Sequence, residues 1–322
     1  MIDTTSLYLP AGTSGYKDDA LLITPKRAGW TYSGLRVFDL EAGGSRAFGT
    51  GDLEMALLPL SGSCTVVAED KTFELEGRSS VFERVSDFLY VGIDSTVQVT
   101  SDSGGQFAMC TAKATERFEP KYGPAEDVVV EVRGGGQATR QINNFMRPGD
   151  WDHAHKLSCV EVLTPDGNWS SYPPHKHDDS PECTVNNEEI YYFRIGDAGT
   201  SDYSSKGFGM HRTYTGPLDD PAREIDANVT VFDGDAFLVP HGYHGPCIAA
   251  PGYSMYYLNV LAGPDDDRSM DFCDDPEHHW IRDTFSDDSL DPRCPMTSSD
   301  GRIEAYEGDG NGGSSGSGEH GG

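Results

Sequence analysis

The chain has 322 residues, of which 36% are hydrophobic, so it is long enough for about two globular domains. Its 53 Asp and Glu residues against 24 Lys and Arg residues give a formal net charge of -29. Nucleic acids and anionic membrane surfaces bind clustered basic residues, which this sequence lacks, so we expect neither as a partner. The preference for Asp over Glu and for Arg over Lys is equally consistent with a proteome adapted to high salt and with an ordinary acidic enzyme.

The first ten residues contain no basic segment followed by an apolar one, so no signal peptide is expected. No apolar run approaches the roughly 20 residues needed to span a bilayer. These features predict a soluble, cytoplasmic protein. The seven cysteines are scattered and form no Cys-x-x-Cys pair, which predicts reduced thiols rather than a disulfide framework or a thiolate zinc site.

Short β-type runs separated by Gly, Pro, Asp and Ser follow one another along the chain. Examples are residues 64–68, 96–100, 127–132, 229–232 and 256–261. No long stretch has the helical period. This pattern predicts an all-β protein with a sandwich or barrel that is repeated twice to fill the length.

The histidines divide the chain, because none of the ten precedes His153. We therefore predict a structural β-domain at residues 1–140 and an active β-domain at residues 141–285. The glycine-rich start of segment 134–145 indicates a crossover between the two domains. Residues 286–322, rich in Asp, Ser, Gly and Pro, are predicted to be a disordered acidic tail.

A candidate metal site lies in the second half. His175 and His177 are two residues apart, so on a strand they project to the same face. Glu189 opens a strong strand signal, and His244 ends a strand, turn and strand that start at Val231. Three imidazoles and one carboxylate suit a divalent first-row metal with positions left for water or substrate.

Four motifs make the sequence resemble the cupin superfamily and, more narrowly, the 5-deoxy-glucuronate isomerases of myo-inositol catabolism. They are residues 168–178, 188–194, 240–244 and 256–264, within a resemblance that runs from about Gly29 to Phe285. It implies a bicupin, two jelly-roll β-barrels in one chain. It also implies an aldose–ketose isomerase that converts 5-deoxy-glucuronate to 5-dehydro-2-deoxy-gluconate.

Two departures leave competing ligands. Glu182 follows His177 by five residues, but it lies in a loop beside Pro181, so Glu189 is preferred. His241 precedes His244 by three residues, and the family motif, with its histidine directly after Gly-Tyr, selects His244. Zinc, manganese, iron and nickel all accept this ligand set, so one divalent ion of unknown identity is expected.

Moving a carbonyl from C1 to C2 requires removal of a proton next to the carbonyl, with a metal stabilising the enediolate. Tyr191, on the same strand face as Glu189, is the preferred group for proton transfer. Glu182 is an alternative if it is not a ligand. Tyr257 is a further candidate, for proton transfer or for contact with substrate.

The carboxylate of such a substrate needs a cation within a strongly acidic protein. Arg212 is preferred, because guanidinium pairs with carboxylate in bidentate fashion, and Arg194 is second because its strand parity is opposite to that of Glu189. Lys176 is expected to point away from the histidine face. We predict positive potential confined to the pocket, within residues 150–285.

Three other functions remain open at this stage. A related uronate ketol-isomerase and an Fe(II) dioxygenase would use the same ligands. A non-catalytic sugar-binding bicupin is disfavoured, because such proteins usually lose ligand residues. Bicupins often present sheet edges to a partner, so a homo-oligomer is expected.

Overall fold

The computed structural model describes residues 6–303, and most of its regular structure is β-sheet. One short α-helix spans Pro25–Ala28, and 3-10 helices lie at Ala125–Asp127, Gly136–Ala138, Pro221–Arg223, His279–Thr284 and Asp287–Ser289. None of the helices in this range is long and apolar enough to cross a membrane. The strands of the N-terminal half are β1 (Tyr8–Leu9), β2 (Asp19–Ile23), β3 (Ser33–Leu40), β4 (Gly44–Gly49), β5 (Leu53–Ala68), β6 (Lys71–Arg78), β7 (Phe88–Val91), β8 (Thr96–Ser101), β9 (Gly105–Lys113) and β10 (Lys121–Gly123).

The remaining strands follow in chain order. They are β11 (Val129–Arg133), β12 (Arg140–Asn144), β13 (Ser158–Thr164), β14 (Trp169–Ser170), β15 (His175–Lys176), β16 (Asp178–Ser180), β17 (Cys183–Asn186), β18 (Glu188–Asp197), β19 (Gly209–Tyr214), β20 (Asp226–Val231), β21 (Ala236–Val239), β22 (Tyr243–Ala249), β23 (Tyr253–Ala262), β24 (Cys273–Asp274), β25 (Thr297–Ser298) and β26 (Gly301–Arg302).

A nine-stranded antiparallel sheet forms the N-terminal barrel. Its path is β10-β7-β5-β9-β3-β2, with β4, β6 and β8 attached beside it. The long strand β5 pairs with β7 and β9 along its first part and with β6 and β8 along its second part. Because one strand serves two sets of neighbours, the sheet curls around an apolar interior that includes Phe38, Leu57 and Phe107.

Two facing sheets form the C-terminal barrel. One has seven strands in the order β1-β21-β18-β23-β13-β12-β11, and the other follows β20-β19-β22-β15-β24 with β14 beside β22. Their inner faces meet where the ring of His211 lies 4.8 Å from that of Tyr191 and 4.6 Å from that of Phe237, between centroids. The predicted all-β fold of two small barrels is confirmed.

The two barrels share one hydrophobic core. Along β5, Met55 points into the N-terminal barrel, whereas Ala56 and Leu58 join the core that continues into the second barrel. Within this interface Arg78 of β6 forms a fully buried ion pair with Glu161 of β13. Alternate residues of β5 therefore face either the interior of the N-terminal barrel or the core that both barrels share, and this shared core holds the two barrels together.

The predicted domain boundary at residue 140 does not match the sheets. Strands β11 and β12 form a hairpin that belongs to the C-terminal barrel, and β1 pairs with β21 of the same sheet. The glycines of segment 134–145 form the hairpin turn rather than a crossover, since Gly134 and Gly136 have φ values of 111° and 52°. The second barrel thus takes in residues from both sides of the predicted boundary.

The segment 286–303, predicted as part of a disordered tail, is folded. Met296 and Thr297 are buried, and the side-chain oxygen of Gln141 accepts hydrogen bonds from both of their backbone N–H groups, at 2.6 and 3.0 Å. Strands β25 and β26 pair within this segment. The rest of the predicted tail, with His320, lies outside the described residues.

Candidate active site

Three buried side chains meet between the facing sheets of the C-terminal barrel. Nε2 of His177 and Nε2 of His244 each lie 3.0 Å from the same oxygen, Oε2 of Glu189. The ring of His175 lies beside them, with its centroid 4.6 Å from that of His244. The structure therefore brings together the four residues that the sequence predicts as metal ligands.

Strand pairing explains how these residues meet. His175 of β15 pairs directly with His244 of β22, so both imidazoles start from adjacent positions in one sheet. His177 follows β15, and Glu189 reaches the group from β18 in the opposite sheet. The cluster thus bridges the two sheets at the point where residues remote in sequence come together.

A backbone carbonyl orients each imidazole. Nδ1 of His175 lies 3.2 Å from the oxygen of Pro173, Nδ1 of His177 lies 3.0 Å from that of Asn187, and Nδ1 of His244 lies 3.2 Å from that of Gly242. Since a carbonyl can only accept, each Nδ1 carries the proton that it donates. In the neutral ring, Nε2 is then left with its lone pair, which is the form that binds metal ions.

Electrostatics keeps the carboxylate of the cluster ionised. Burial acts to raise the pKa of Glu189, but the influence of His244 and His177 prevails and lowers it. Burial lowers the pKa of His175 well below its ordinary value, and His244 adds to the effect. For His177, burial acts to lower the pKa, and the hydrogen bond with Glu189 outweighs it and raises the pKa.

The residues present fit a divalent metal ion. Nε2 of His244 is buried and has no hydrogen-bond partner among the described residues, although Oε2 of Glu189 is close to it. The lone pair on Nε2 of His244 and the carboxylate oxygen repel each other at this distance unless positive charge lies between them. His177, Glu189 and His244, with His175 beside them, would hold the ion.

A cavity of about 170 Å³ opens beside the cluster. One side is the inner face of the seven-stranded sheet, and part of the wall comes from the segment that leads into β24. Apolar side chains on this wall are Ile142, Val160, Val162, Leu261, Met270 and Phe272. Four arginines also contribute, Arg133, Arg140, Arg147 and Arg282, and three of them precede residue 150, outside the range in which we predicted positive potential.

Tyr191 and Tyr257 are joined in the cavity wall through Ser171. The Ser171 hydroxyl lies 3.2 Å from the Tyr191 hydroxyl and 2.9 Å from the Tyr257 hydroxyl. Burial raises the pKa of Tyr191, with Glu189 contributing in the same direction, and burial also raises that of Tyr257. Both phenols are therefore neutral, so each can donate a proton in a hydrogen bond.

The structure places Glu182 away from the cavity. Its carboxylate lies 2.5 Å from Nζ of Lys176, which also contacts Asp219 at 3.0 Å. Lys176 points away from the histidine face, as the alternation of β15 predicts. Because Lys176 draws Glu182 to the far side of the sheet, we withdraw Glu182 as a ligand and as a catalytic group.

Neither predicted carboxylate-binding arginine lines the cavity. Arg212 lies on the outer face of β19 and stacks on Tyr214, with 4.2 Å between the guanidinium carbon and the ring centroid. Arg194 points toward the N-terminal barrel, where it pairs with Asp233 at 2.7 Å and donates to Gln106. Both guanidinium groups are separated from the cluster by a sheet, so we withdraw both assignments.

Sequence reasoning missed four polar residues of the cavity besides its arginines: Asn144, Ser171, Asn259 and Asp271. Asn259 could have been found, because it shares an inward face of β23 with Tyr257, and its Nδ2 is buried without a hydrogen-bond partner among the described residues. Ser171 and Asp271 lie in irregular segments, where alternation gives no signal.

A disulfide corrects the expectation of seven reduced thiols. Cys183 of β17 and Cys273 of β24 are bonded, with 5.6 Å between their Cα atoms. Five cysteines remain free, namely Cys64, Cys110, Cys159, Cys247 and Cys294. The bond ties the loop between His177 and Glu189 to the strand beside His175, a contact between segments 90 residues apart that sequence spacing does not reveal.

Comparison with known proteins places the chain among named relatives. It is 37% identical over 278 residues to the 5-deoxy-glucuronate isomerase of Geobacillus kaustophilus (strain HTA426), covering 85% of this chain and 95% of the relative. It is 38% identical over 263 residues to that of Bacillus subtilis (strain 168), covering 80% of this chain and 91% of the relative.

Solved structures show the same fold. The crystal structure of an IolB-like protein from Salmonella typhimurium LT2 matches with a TM-score of 0.74 at 32% identity, covering 85% of this chain and 98% of that one. Oxalate decarboxylase of Lactobacillus farciminis matches with a TM-score of 0.58 at 11% identity, covering 83% and 88%, which supports the cupin-type fold alone. The KduI/IolB family model matches residues 8–281. This chain therefore belongs to the KduI/IolB family, as the resemblance in its motifs predicted.

Proposed function

We propose that the protein is a metal-dependent aldose–ketose isomerase that converts 5-deoxy-glucuronate to 5-dehydro-2-deoxy-gluconate. The observation that carries the proposal is the cluster of His177, Glu189 and His244 beside His175, at the wall of a cavity. The names of the relatives support the same substrate. In this proposal His175, His177, Glu189 and His244 hold one divalent ion.

The reaction moves a hydrogen between neighbouring carbons of an open-chain sugar acid. A bound divalent ion would act there as a Lewis acid on the carbonyl and hydroxyl oxygens of the substrate. The apolar part of the cavity wall, including Val160, Leu261 and Phe272, limits water around the reacting carbons. The protein must then supply groups that hold and move protons.

Tyr191 is the proposed proton donor to a substrate oxygen. Its phenol is neutral, and its hydrogen bond to Ser171, which also contacts Tyr257, provides a route by which the donated proton is replaced. Tyr257 contributes to binding from the same wall. Asp271 is the carboxylate on the wall besides Glu189, so we assign to it the removal of the carbon-bound proton.

Incubation of the metal-loaded protein with 5-deoxy-glucuronate, followed by NMR without oxygen, tests the function. We expect the ketone to form, EDTA to abolish its formation, and added zinc, manganese, iron or nickel to restore it. An oxygen requirement would favour a cupin dioxygenase instead. Turnover that survives complete removal of metal would contradict the assignment of the cluster.

Two variants test the ligands themselves. His177→Ala should lose bound metal, measured by elemental analysis, together with activity. His241→Ala is the matched control, because His241 lies three residues before His244 but is held by Arg223, with Nε2 2.8 Å from its carbonyl oxygen. It should keep metal and activity. Location in the cytoplasm remains a prediction. Assembly into a homo-oligomer also remains a prediction, which light scattering can test.

A further inference from the structure

Arg140 occupies the cavity face of β12. Alternation along this strand turns Arg140, Ile142 and Asn144 into the cavity, whereas Gln141 and Asn143 bond to groups on the opposite side. Arg140 is only 5% exposed. Its guanidinium is therefore a buried positive charge whose surroundings include the cavity.

No carboxylate among the described residues pairs with Arg140. Its guanidinium donates a hydrogen bond from Nη1 to the backbone oxygen of Ala138, at 3.1 Å. The neighbouring arginines differ, because Arg133 is paired with Glu131 at 2.8 Å and Arg282 forms an ion pair with Asp274. A buried cation without a counter-ion is unfavourable, so its presence calls for an anion that arrives from outside the chain.

The charges around Arg140 reinforce this reading. Burial is the main cause that lowers the pKa of Arg140, to about 10, and Arg133 and Arg282 act in the same direction. Tyr257 and Glu131 act in the opposite direction. Arg140 remains protonated at neutral pH, at a positive end of the cavity.

We propose that Arg140 binds the carboxylate of a sugar acid whose carbonyl end lies at the histidine cluster. The proposal rests on the proposed function and adds the group that selects acids over neutral sugars. Arg140 on β12 and Glu189 on β18 belong to one sheet, three strands apart, and both side chains line the same cavity.

This subsite explains how an acidic protein attracts an acidic substrate. A guanidinium binds a carboxylate through two parallel N–H bonds, and a low-dielectric wall strengthens such a pair. Arg133 and Arg282 are already paired with carboxylates of the protein. They contribute to the electrostatic potential of the cavity, but they do not compete with Arg140 for the ligand. Arg140 is thus the specificity-determining residue for the acid group.

Binding of D-gluconate and D-glucitol to the metal-loaded protein tests the subsite by calorimetry. The two probes differ in a carboxylate against a CH₂OH group, and neither is isomerised. We expect gluconate to bind the wild type at least about 10-fold more tightly than glucitol, and Arg140→Met to weaken gluconate about 10- to 100-fold while leaving glucitol unchanged. Arg212→Met, on the outer face of the same barrel, is the control and should bind both probes as the wild type does.

Equal affinity of the wild type for both probes, or unchanged gluconate binding by Arg140→Met, overturns the proposal. Arg140→Met should also melt no lower than the wild type, because it removes an unpaired buried charge. If Arg140→Met melts lower than the wild type, Arg140→Lys is the second variant. Arg140→Lys keeps the charge, so it should fold and bind gluconate about 10-fold more weakly than the wild type. Unchanged gluconate binding by a folded Arg140→Lys rejects the guanidinium pair.

Failure of the proposed function is a separate result. If the wild type does not isomerise 5-deoxy-glucuronate, the reaction is wrong, and the dependence of gluconate binding on Arg140 can still hold. If the wild type isomerises the substrate and Arg140→Met does so with unchanged KM, the reaction is right and the subsite is wrong.

Discussion

Tyr191 holds a neutral phenol at the edge of the histidine cluster, with its ring centroid 6.0 Å from that of His244. Replacement by phenylalanine keeps the ring packing and removes the proton. We expect Tyr191→Phe to lower kcat about 100-fold, with metal content unchanged and KM nearly so. Steady-state kinetics on 5-deoxy-glucuronate provides the measurement.

The adjacent residue supplies the control for this variant. Tyr192→Phe removes a hydroxyl that points to the opposite face, where it lies 3.4 Å from Oε1 of Gln106 in the N-terminal barrel. Its kcat should equal that of the wild type. Equal kcat for Tyr191→Phe and the wild type would show that the proton comes from another group.

Alternation along strands predicts which side chains share a face, but it does not indicate which face is interior. It correctly groups Glu189 with Tyr191, and metal chemistry requires that this face point inward. For β19 it correctly groups Arg212 with Met210 and Tyr214, yet that face is the outer one. Charge alone therefore could not locate the cation of the cavity.

Strand β18 connects the cluster with the N-terminal barrel through two consecutive glutamates. Glu189 points inward, and Glu188 points outward, where its carboxylate accepts backbone N–H bonds from Thr31, Tyr32 and Ser33 at 2.7, 2.7 and 2.8 Å. These bonds hold the start of β18 against the loop that precedes β3. The position of a candidate metal ligand thus depends on the other barrel.

Loss of the Glu188 carboxylate leaves three backbone donors without their partner. Glu188→Ala should reduce the free energy of unfolding by about 3 kcal/mol and weaken metal retention, although Glu188 does not contact the cluster. Denaturant unfolding and metal analysis give the two readouts. Glu224→Ala removes an exposed carboxylate and should change neither. Metal binding identical in Glu188→Ala and the wild type would mean that β18 needs no such anchor.

The disulfide between β17 and β24 makes a direct prediction about thiols. Of seven cysteines, two are bonded, so the unfolded but unreduced protein should titrate five thiols. A bond that closes a loop of about 90 residues stabilises the fold by about 4.6 kcal/mol in the chain-entropy account. Reductant should therefore lower the Tm of the wild type.

Cysteine variants separate the disulfide from other effects of reductant. The double variant Cys183→Ser, Cys273→Ser should melt below the oxidised wild type and show no further change with reductant. Cys294→Ser, which removes a free thiol, should keep the sensitivity of the wild type. Seven titratable thiols in the unreduced chain would rule the bond out.

At the level of elements, composition gives wrong predictions of structure for segments that are held by polar contacts. Segment 286–303 has few apolar residues. The Gln141 side chain helps to fix it, because its oxygen accepts from the N–H groups of Met296 and Thr297 and its amide donates to the Thr297 carbonyl. Segment 134–145 contains the turn and second strand of a hairpin, which Gly134 and Gly136 make possible. Hydrophobic patterning predicts strands with buried apolar faces, and it has no signal for backbone groups satisfied by side chains.

At the scale of the whole molecule, the two barrels pack against each other through a common interface. The shared core and the buried Arg78–Glu161 pair cross the interface, and Glu161 also accepts from Asn143 and Tyr256. The N-terminal barrel carries no part of the candidate cluster. Its contribution is to support the strands that carry Glu189 and Tyr257 from the side opposite the cavity.

The formal charge of -29 sets the expected response of the protein to salt. Most of the acidic groups are at the surface, where their mutual repulsion favours the expanded, unfolded chain. Raising ionic strength from about 0.1 M to 1 M shortens the Debye length from about 10 Å to 3 Å and screens this repulsion. We therefore expect the Tm to rise with NaCl, and KCl at equal ionic strength to act alike. The buried Arg78–Glu161 pair is shielded from solvent, so salt should not weaken it. A Tm that falls with salt would therefore show that surface ion pairs outweigh the net repulsion.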